Sequence, residues 1–157
     1  MAGNSSRSID ARGWLFEVED TGAGTETWLP IAGLNSWSYS PGENEEVAEI
    51  TSFDSDGAYE EDVMQRGSAI TLEGQYRIDK TTKARDPGQA YIDDDWTPRL
   101  GIDSHNRIRY RHTTQTTWAI WDATMTPGEQ SGGTNEKTSW SATFRKSGKA
   151  TSAAVTP

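Results

Sequence analysis

The chain contains no cysteine. Disulfide bonds, thiolate metal sites and cysteine nucleophiles are therefore excluded, and the fold does not depend on an oxidising compartment. Hydrophobic residues are scarce, 32% of the 157. No apolar run approaches the roughly 20 residues that a membrane-spanning helix needs. Met1 to Ala11 is polar and unlike a secretory leader, so cytoplasmic synthesis is expected. Basic residues are nearly missing from the first part of the chain. Residues 1–65 hold 14 carboxylates against Arg7 and Arg12 alone, and the nine between Glu43 and Asp62 have no Lys or Arg among them. A surface of that sign repels a phosphate backbone, which argues against sequence-reading nucleic-acid binding.

Few hydrophobics and a net charge of -9 would by themselves describe a disordered chain. The aromatics contradict that: seven Trp, five Tyr and three Phe are the makings of a small core of large side chains. They fall at period two, the strand signal. Trp14, Phe16 and Val18 share a face, as do Trp37 and Tyr39 within Leu34 to Ser40. Ser68 to Asp79 is the clearest strand, with Ile70, Leu72, Tyr76 and Ile78 opposite Thr71, Glu73, Gln75, Arg77 and Asp79. Ile108 and Tyr110 alternate with Arg107, Arg109 and Arg111, and Trp140, Ala142 and Phe144 line one face of Lys137 to Lys146. Glu26 to Pro30 and Thr116 to Met125 also read as extended, with Trp121 opposing the Trp118 and Ile120 face. Both faces of that last strand are expected to be covered.

Asp86-Pro87 looks like a helix start, an N-cap followed by proline at the first helical position. The spacing predicts one helix reaching towards Gly101, with Trp96 and Leu100 docked on a sheet, Asp93 to Asp95 complementing the helix dipole, and Pro98 as a kink. Pro41 to Gly67 reads as a long loop, and Ser147 to Pro157 as a small, polar, fraying tail. The whole is expected to be one domain, residues 1–157, mainly β: seven or eight strands in an antiparallel sandwich or open barrel with one flanking α-helix.

Chemistry-bearing motifs are few. His105 and His112 fall on opposite faces without a third ligand and read as loop or surface residues. Asp54 to Gly57 starts like a calcium loop, but Gln65 stands where the closing glutamate belongs. Gly22-Ala-Gly24 lacks a third glycine for a phosphate cradle. No nucleophile elbow occurs, and paired carboxylates are uninformative in so acidic a chain. No catalytic residue, cofactor or metal is predicted. The tryptophans could form a sugar-stacking platform, yet most alternate with aliphatics and read as core. The long acidic segment also carries Val47, Ile50, Phe53, Tyr59, Val63 and Met64. A free, solvated loop has no use for them, and they suggest docking on a partner.

The succession of segments resembles the major tail tube proteins of bacteriophages with long, non-contractile tails. The resemblance rests on Trp28-Leu-Pro-Ile-Ala-Gly33, on Thr51-Ser-Phe-Asp-Ser-Asp-Gly57 with Glu60 and Glu61, and on Arg66-Gly67. It continues in Leu72-Glu-Gly-Gln-Tyr76, Arg85-Asp-Pro-Gly-Gln89, Gly132-Gly-Thr-Asn-Glu136 and Trp140-Ser-Ala-Thr-Phe144, ending at Ser147-Gly148. It implies a β-sandwich with a flanking helix, six-subunit rings stacked into a tube, and inner strands joined into a barrel around the channel for the genome. It implies a virion tail location after assembly in the bacterial host cytoplasm. The implied partners are the chain itself, a tape measure, a tail tip and a terminator protein. DNA would pass without specific binding, and no membrane would be bound. The segment 41–67 would reach neighbouring subunits through Val47, Ile50, Phe53, Asp54, Asp56, Tyr59, Glu60, Glu61, Val63 and Met64. Glu73 and Asp79 would face the channel. Two other readings remain open: a carbohydrate-binding sandwich, and the inner tube of a contractile injection machine.

Overall fold

A computed structural model describes residues 5–156. Its strands are β1 (Trp14–Glu19), β2 (Trp28–Pro30), β3 (Leu34–Glu49), β4 (Glu61–Gln75), β5 (Asn106–His112), β6 (Thr117–Pro127), β7 (Ser139–Lys146) and β8 (Thr151–Ala154). All pair antiparallel in one sheet of order β2-β1-β5-β6-β7-β4-β3, and β8 pairs with β6 beyond the end of β7. The sheet curls. Trp14 on β1 and Trp37 on β3 stand near opposite ends of that order, yet their ring centroids are 5.1 Å apart. The architecture is thus an open barrel made by one rolled sheet, which decides between the two expected arrangements.

The concave face holds the core. Phe16, Val18, Ile70, Leu72, Ile108, Trp121, Trp140 and Phe144 are buried there, at the alternating positions that the sequence marks. Fully burying a side chain of this size stabilises by about 1.5–3 kcal/mol, so a few large residues replace many small ones. Trp121 belongs to this core, whereas Trp118 and Ile120 are buried on the outer face. There the Arg109 guanidinium lies over Trp118 at 4.1 Å and over Trp28 at 4.4 Å, and Arg111 lies over Trp118 at 5.0 Å. Arg109 also pairs with Glu17 at 2.5 Å, and Arg107 with Glu19. Both faces of β6 are covered, as expected.

The helix starts where expected but is shorter and different in kind. Helix α1 (Pro87–Ala90) is capped by Asp86, which accepts the Gln89 N–H at 3.2 Å, and it runs on as a π-helical turn over Tyr91–Trp96. Tyr91, Ile92 and Trp96 enter the core, with Trp96 against Phe144 at 5.6 Å between centroids. Pro98 cannot continue the helix. Leu100 does not dock; it is 82% exposed, next to an equally bare Ile102 on the 3-10 turn Gly101–Ser104. Asp93 is not a solvated dipole partner: it accepts from Arg85 at 2.6 Å and from the Trp140 indole at 3.1 Å. Gly88 and Gly74 mark where this helix and β4 cross the Pro30–Leu34 segment. A Cβ on Gly88 would lie 2.4 Å from the Pro30 carbonyl oxygen, and one on Gly74 2.3 Å from that of Gly33.

Three further expectations are corrected. Pro41 to Gly67 is not a loop: both its halves are strand, belonging to β3 and β4. The tail 147–157 is not merely frayed, because Thr151–Ala154 forms β8. The strand read over Ser68 to Asp79 ends at Gln75, so Ile78 and Asp79 lie in the turn that follows.

Candidate functional site

Three surfaces stand out. The first is the arm formed by the outer halves of β3 and β4. Its ladder continues from Glu43↔Gly67 to Glu49↔Glu61, past the end of β7, and so projects as a two-stranded hairpin. Register shifts between Ser40 and Val47 accompany its exit from the sheet; such irregularities bend and twist a ladder. The tip is held by its own hydrogen bonds. Glu60 N–H donates to Thr51 Oγ1 at 2.9 Å, Ile50 N–H to the Glu60 carbonyl at 3.0 Å, and Ser52 and Ser55 cap each other around the 3-10 turn Phe53–Ser55. Asp56 and Gly57 then turn back with left-handed φ of 52° and 84°.

Every residue the sequence singled out on this segment is exposed. Val47 and Val63 face each other across the ladder, Ile50 sits at its end, Met64 is on the β4 side, and Phe53 at the tip is 106% exposed. Tyr59 donates to Glu61 at 3.0 Å, and that bond to a carboxylate raises the phenol's pKa. Asp54, Asp56, Glu60, Glu61 and Asp62 crowd the same end. Among the described residues, Glu45 is the one arm carboxylate with an ion-pair partner, Arg66 at 3.0 Å.

The second surface is the convex face of β3, β4, β7 and the end of β6. Residues directly opposite in a ladder share a face, which brings together Ser36↔Glu73, Ser38↔Thr71, Thr71↔Thr143, Glu73↔Ser141 and Thr126↔Thr143. Thr71 and Thr143 join hydroxyl to hydroxyl at 3.2 Å. Glu73 lies on this face, with Arg145 as the cation at its other end, opposite Ala69 and Thr124. Hydroxyls dominate, and the acid excess is on the arm instead. Asp79 is not on this face. It caps the turn after β4, where N–H donation from Thr82 and Thr81 holds its carboxyl below the usual range.

That turn is the third surface, at the end of β4 opposite the arm. Ile78 bridges Arg85, and Arg77, Lys80 and Lys83 stand exposed on it. The sequence alternation runs on into this turn as far as Asp79, and so its start reads as strand.

Other candidates do not gather into sites. His112 is buried rather than at the surface, its Nε2 2.8 Å from the Asp10 carbonyl and its Nδ1 2.9 Å from Thr114 Oγ1. His105 lies 3.7 Å from Asp122. Among the described residues no group of three or more His, Cys, Asp or Glu could hold a metal ion. Trp96, Trp118, Trp121 and Trp140 are buried and Trp28 is covered by arginines, while Trp14 and Trp37 are half-buried and, with Tyr39 and Tyr110, line an open cleft of about 670 Å³. No helix is long and apolar enough to cross a membrane among the described residues.

No protein-family profile matches the chain, and no curated relative matches it. Solved structures do match in fold. A chain in the helically refined, C6-symmetric tail of an empty gene transfer agent particle superposes with a TM-score of 0.65 at 18% identity, over 94% of this chain and 100% of that one. A chain of the native gene transfer agent virion gives 0.62 at 16%, over 94% and 100%. A chain in the extended sheath-tube complex of an extracellular contractile injection system gives 0.55 at 16% identity, over 96% and 95%. The chain shares their mainly antiparallel β fold with its helix, end to end.

Proposed function

We propose that the protein is a structural subunit of a tail-like tube and that its working site is its own assembly surface. The arm carries this reading: an ordered hairpin that presents Phe53, Tyr59, Val63 and Met64 to solvent, with none of the described residues covering them. The fold supports it, being that of chains in a C6-symmetric tail and in a sheath-tube complex. In this reading six copies close into a ring, rings stack, and the hydroxyl face of β3, β4, β7 and β6 lines the channel. Short neutral hydroxyls give a phosphate backbone little to grip, and Glu73 repels it, so DNA passes without binding. Asp79 plays no part in that lining. The role is structural, without catalysis or cofactor. The tail tip, tape measure and terminator would be its other partners, in a virion assembled in the host cytoplasm.

Electron microscopy of the purified protein tests the proposal. Tubes or stacked rings with a central channel are expected. Replacing residues 50–60 by a two-residue turn is expected to abolish them while the barrel stays folded. A protein that stays monomeric under all assembly conditions would sink the proposal. Likeness to chains of both kinds of particle also supports a second reading, the inner tube of a contractile machine. Copurification with a sheath protein would favour it over a non-contractile tail.

A further inference from the structure

The two ends of β4 carry opposite chemistry. At its start, in the arm, Glu49 stands directly across the ladder from Glu61. Like charges so placed destabilise a strand pair, and the arm's single cation, Arg66, is engaged with Glu45. Beyond its other end, the turn is closed by Asp79 N–H donating to the Ala84 carbonyl at 2.7 Å. None of its exposed cations Arg77, Lys80 and Lys83 has an ion-pair partner among the described residues. An open cleft of about 360 Å³ lies beside this turn, lined by apolar Ala32, Ile78, Ala84 and Pro87 and by the cations Arg77 and Arg85. Its two carboxylates are taken up by backbone N–H groups: Asp79 by Thr81 and Thr82, Asp86 by Ala32 and Gln89.

We infer that the arm tip of one copy seats in this cleft of a second copy, Phe53 against Ile78, with Asp54 and the Glu49–Glu61 pair against Arg77, Lys80 and Lys83. The inference rests on the tube reading above and names the surface that receives the arm. Charge complementarity and an exposed aromatic facing an apolar-walled cleft select the occupant. Geometry makes it another copy. The 15 residues of β4 span about 50 Å, so the tip cannot fold back onto its own cleft. A contact between two different patches at opposite ends of a subunit is heterologous, and it propagates instead of closing as a dimer.

Charge reversal in the full-length protein tests this, read as the critical concentration for tube formation by pelleting. K80E/K83E alone and E49K/D54K alone are each expected to raise it by about tenfold or more, and the four changes together to restore it to within about threefold. F53S is expected to raise it while circular dichroism stays that of the wild type. Wild-type tubes with an unaffected K80E/K83E variant would overturn this docking and leave the tube reading standing. So would failure of the combined, folded variant to recover. DNA retention that K80E/K83E abolishes, with assembly unchanged, would assign the turn to phosphate binding instead. If the wild type forms no tubes, the tube reading and this inference fall together.

Discussion

Gln89 offers the sharpest test of how the helix is locked to the barrel. Its side chain is fully buried and makes three hydrogen bonds to backbone of other segments. Nε2 donates to the Ala32 carbonyl at 2.9 Å and to the Gln75 carbonyl at 2.8 Å, while Oε1 accepts from Arg77 N–H at 3.0 Å. Gln89→Leu keeps the volume and removes all three partners. A backbone group left unpaired costs about 1–3 kcal/mol when buried. Ala32, Gln75 and Arg77 are exposed residues whose backbone water reaches in part, which places each loss near the lower end. The expected destabilisation is about 3–5 kcal/mol, a large share of the ~5–15 kcal/mol that holds a typical domain together. For a chain of this size it lowers Tm by roughly 10 °C. Urea titration followed by tryptophan emission measures it, and Gln89→Ala, which adds a cavity, is expected to lose more. A loss below about 1 kcal/mol for the leucine variant would refute the idea that these bonds clamp α1 between β4 and the Pro30–Leu34 segment.

Arg109→Ala removes the nearer of the two guanidinium groups over Trp28 and over Trp118 and leaves Glu17 unpaired, so a loss of about 2–3 kcal/mol in urea titrations is expected, and Lys, lacking the planar stack, does not restore it. Burial, assisted by neighbouring Tyr39, pushes the Tyr110 phenol up to about 12. The folded state then keeps a proton that the unfolded chain releases near pH 10. Stability therefore falls as pH rises from about 10 to 12, by about 1 kcal/mol after discounting for solvent screening at this half-buried group, and Tyr110→Phe removes that fall. Tyrosinate absorbance against pH, with melting curves, checks both. Leu100→Ser with Ile102→Ser is expected to leave stability within about 0.5 kcal/mol in urea titrations, because no described residue covers either side chain.

What could be read from the sequence followed one-sided burial. Phe16, Val18, Ile70, Leu72, Ile108, Trp140 and Phe144 lie on the face that alternation assigns them, because each strand has a dry side and a wet side. The arm escaped that reading for the same reason. Both its faces are wet, so its strands carry no hydrophobic period. Pro41 looked like a break, yet β3 pairs on one side only, and a free edge tolerates a residue without an N–H. β8 consists of small, exposed residues and is recognisable only through its pairing with β6. Asp79 was placed on the strand because the sequence alternation runs on past Gln75, where the chain in fact leaves the ladder to turn. The apolar residues of the arm were legible as unsatisfied; the cleft was not, since it forms where the turn 77–87 folds back and meets Ala32, and alternation reads the start of that turn as strand.

The strands of the arm are the strands of the hydroxyl face, and this has a mechanical meaning. A load applied at Phe53 does not uncoil a slack connection. It passes straight down β4 into seven consecutive pairings with β7, from Ala69↔Arg145 to Gln75↔Ser139, which share it in shear. The compliant point is set by the register shifts between Ser40 and Val47, where ladder regularity is lost. That irregular stretch therefore separates two regular ladders, the projecting arm and the sheet it grows from.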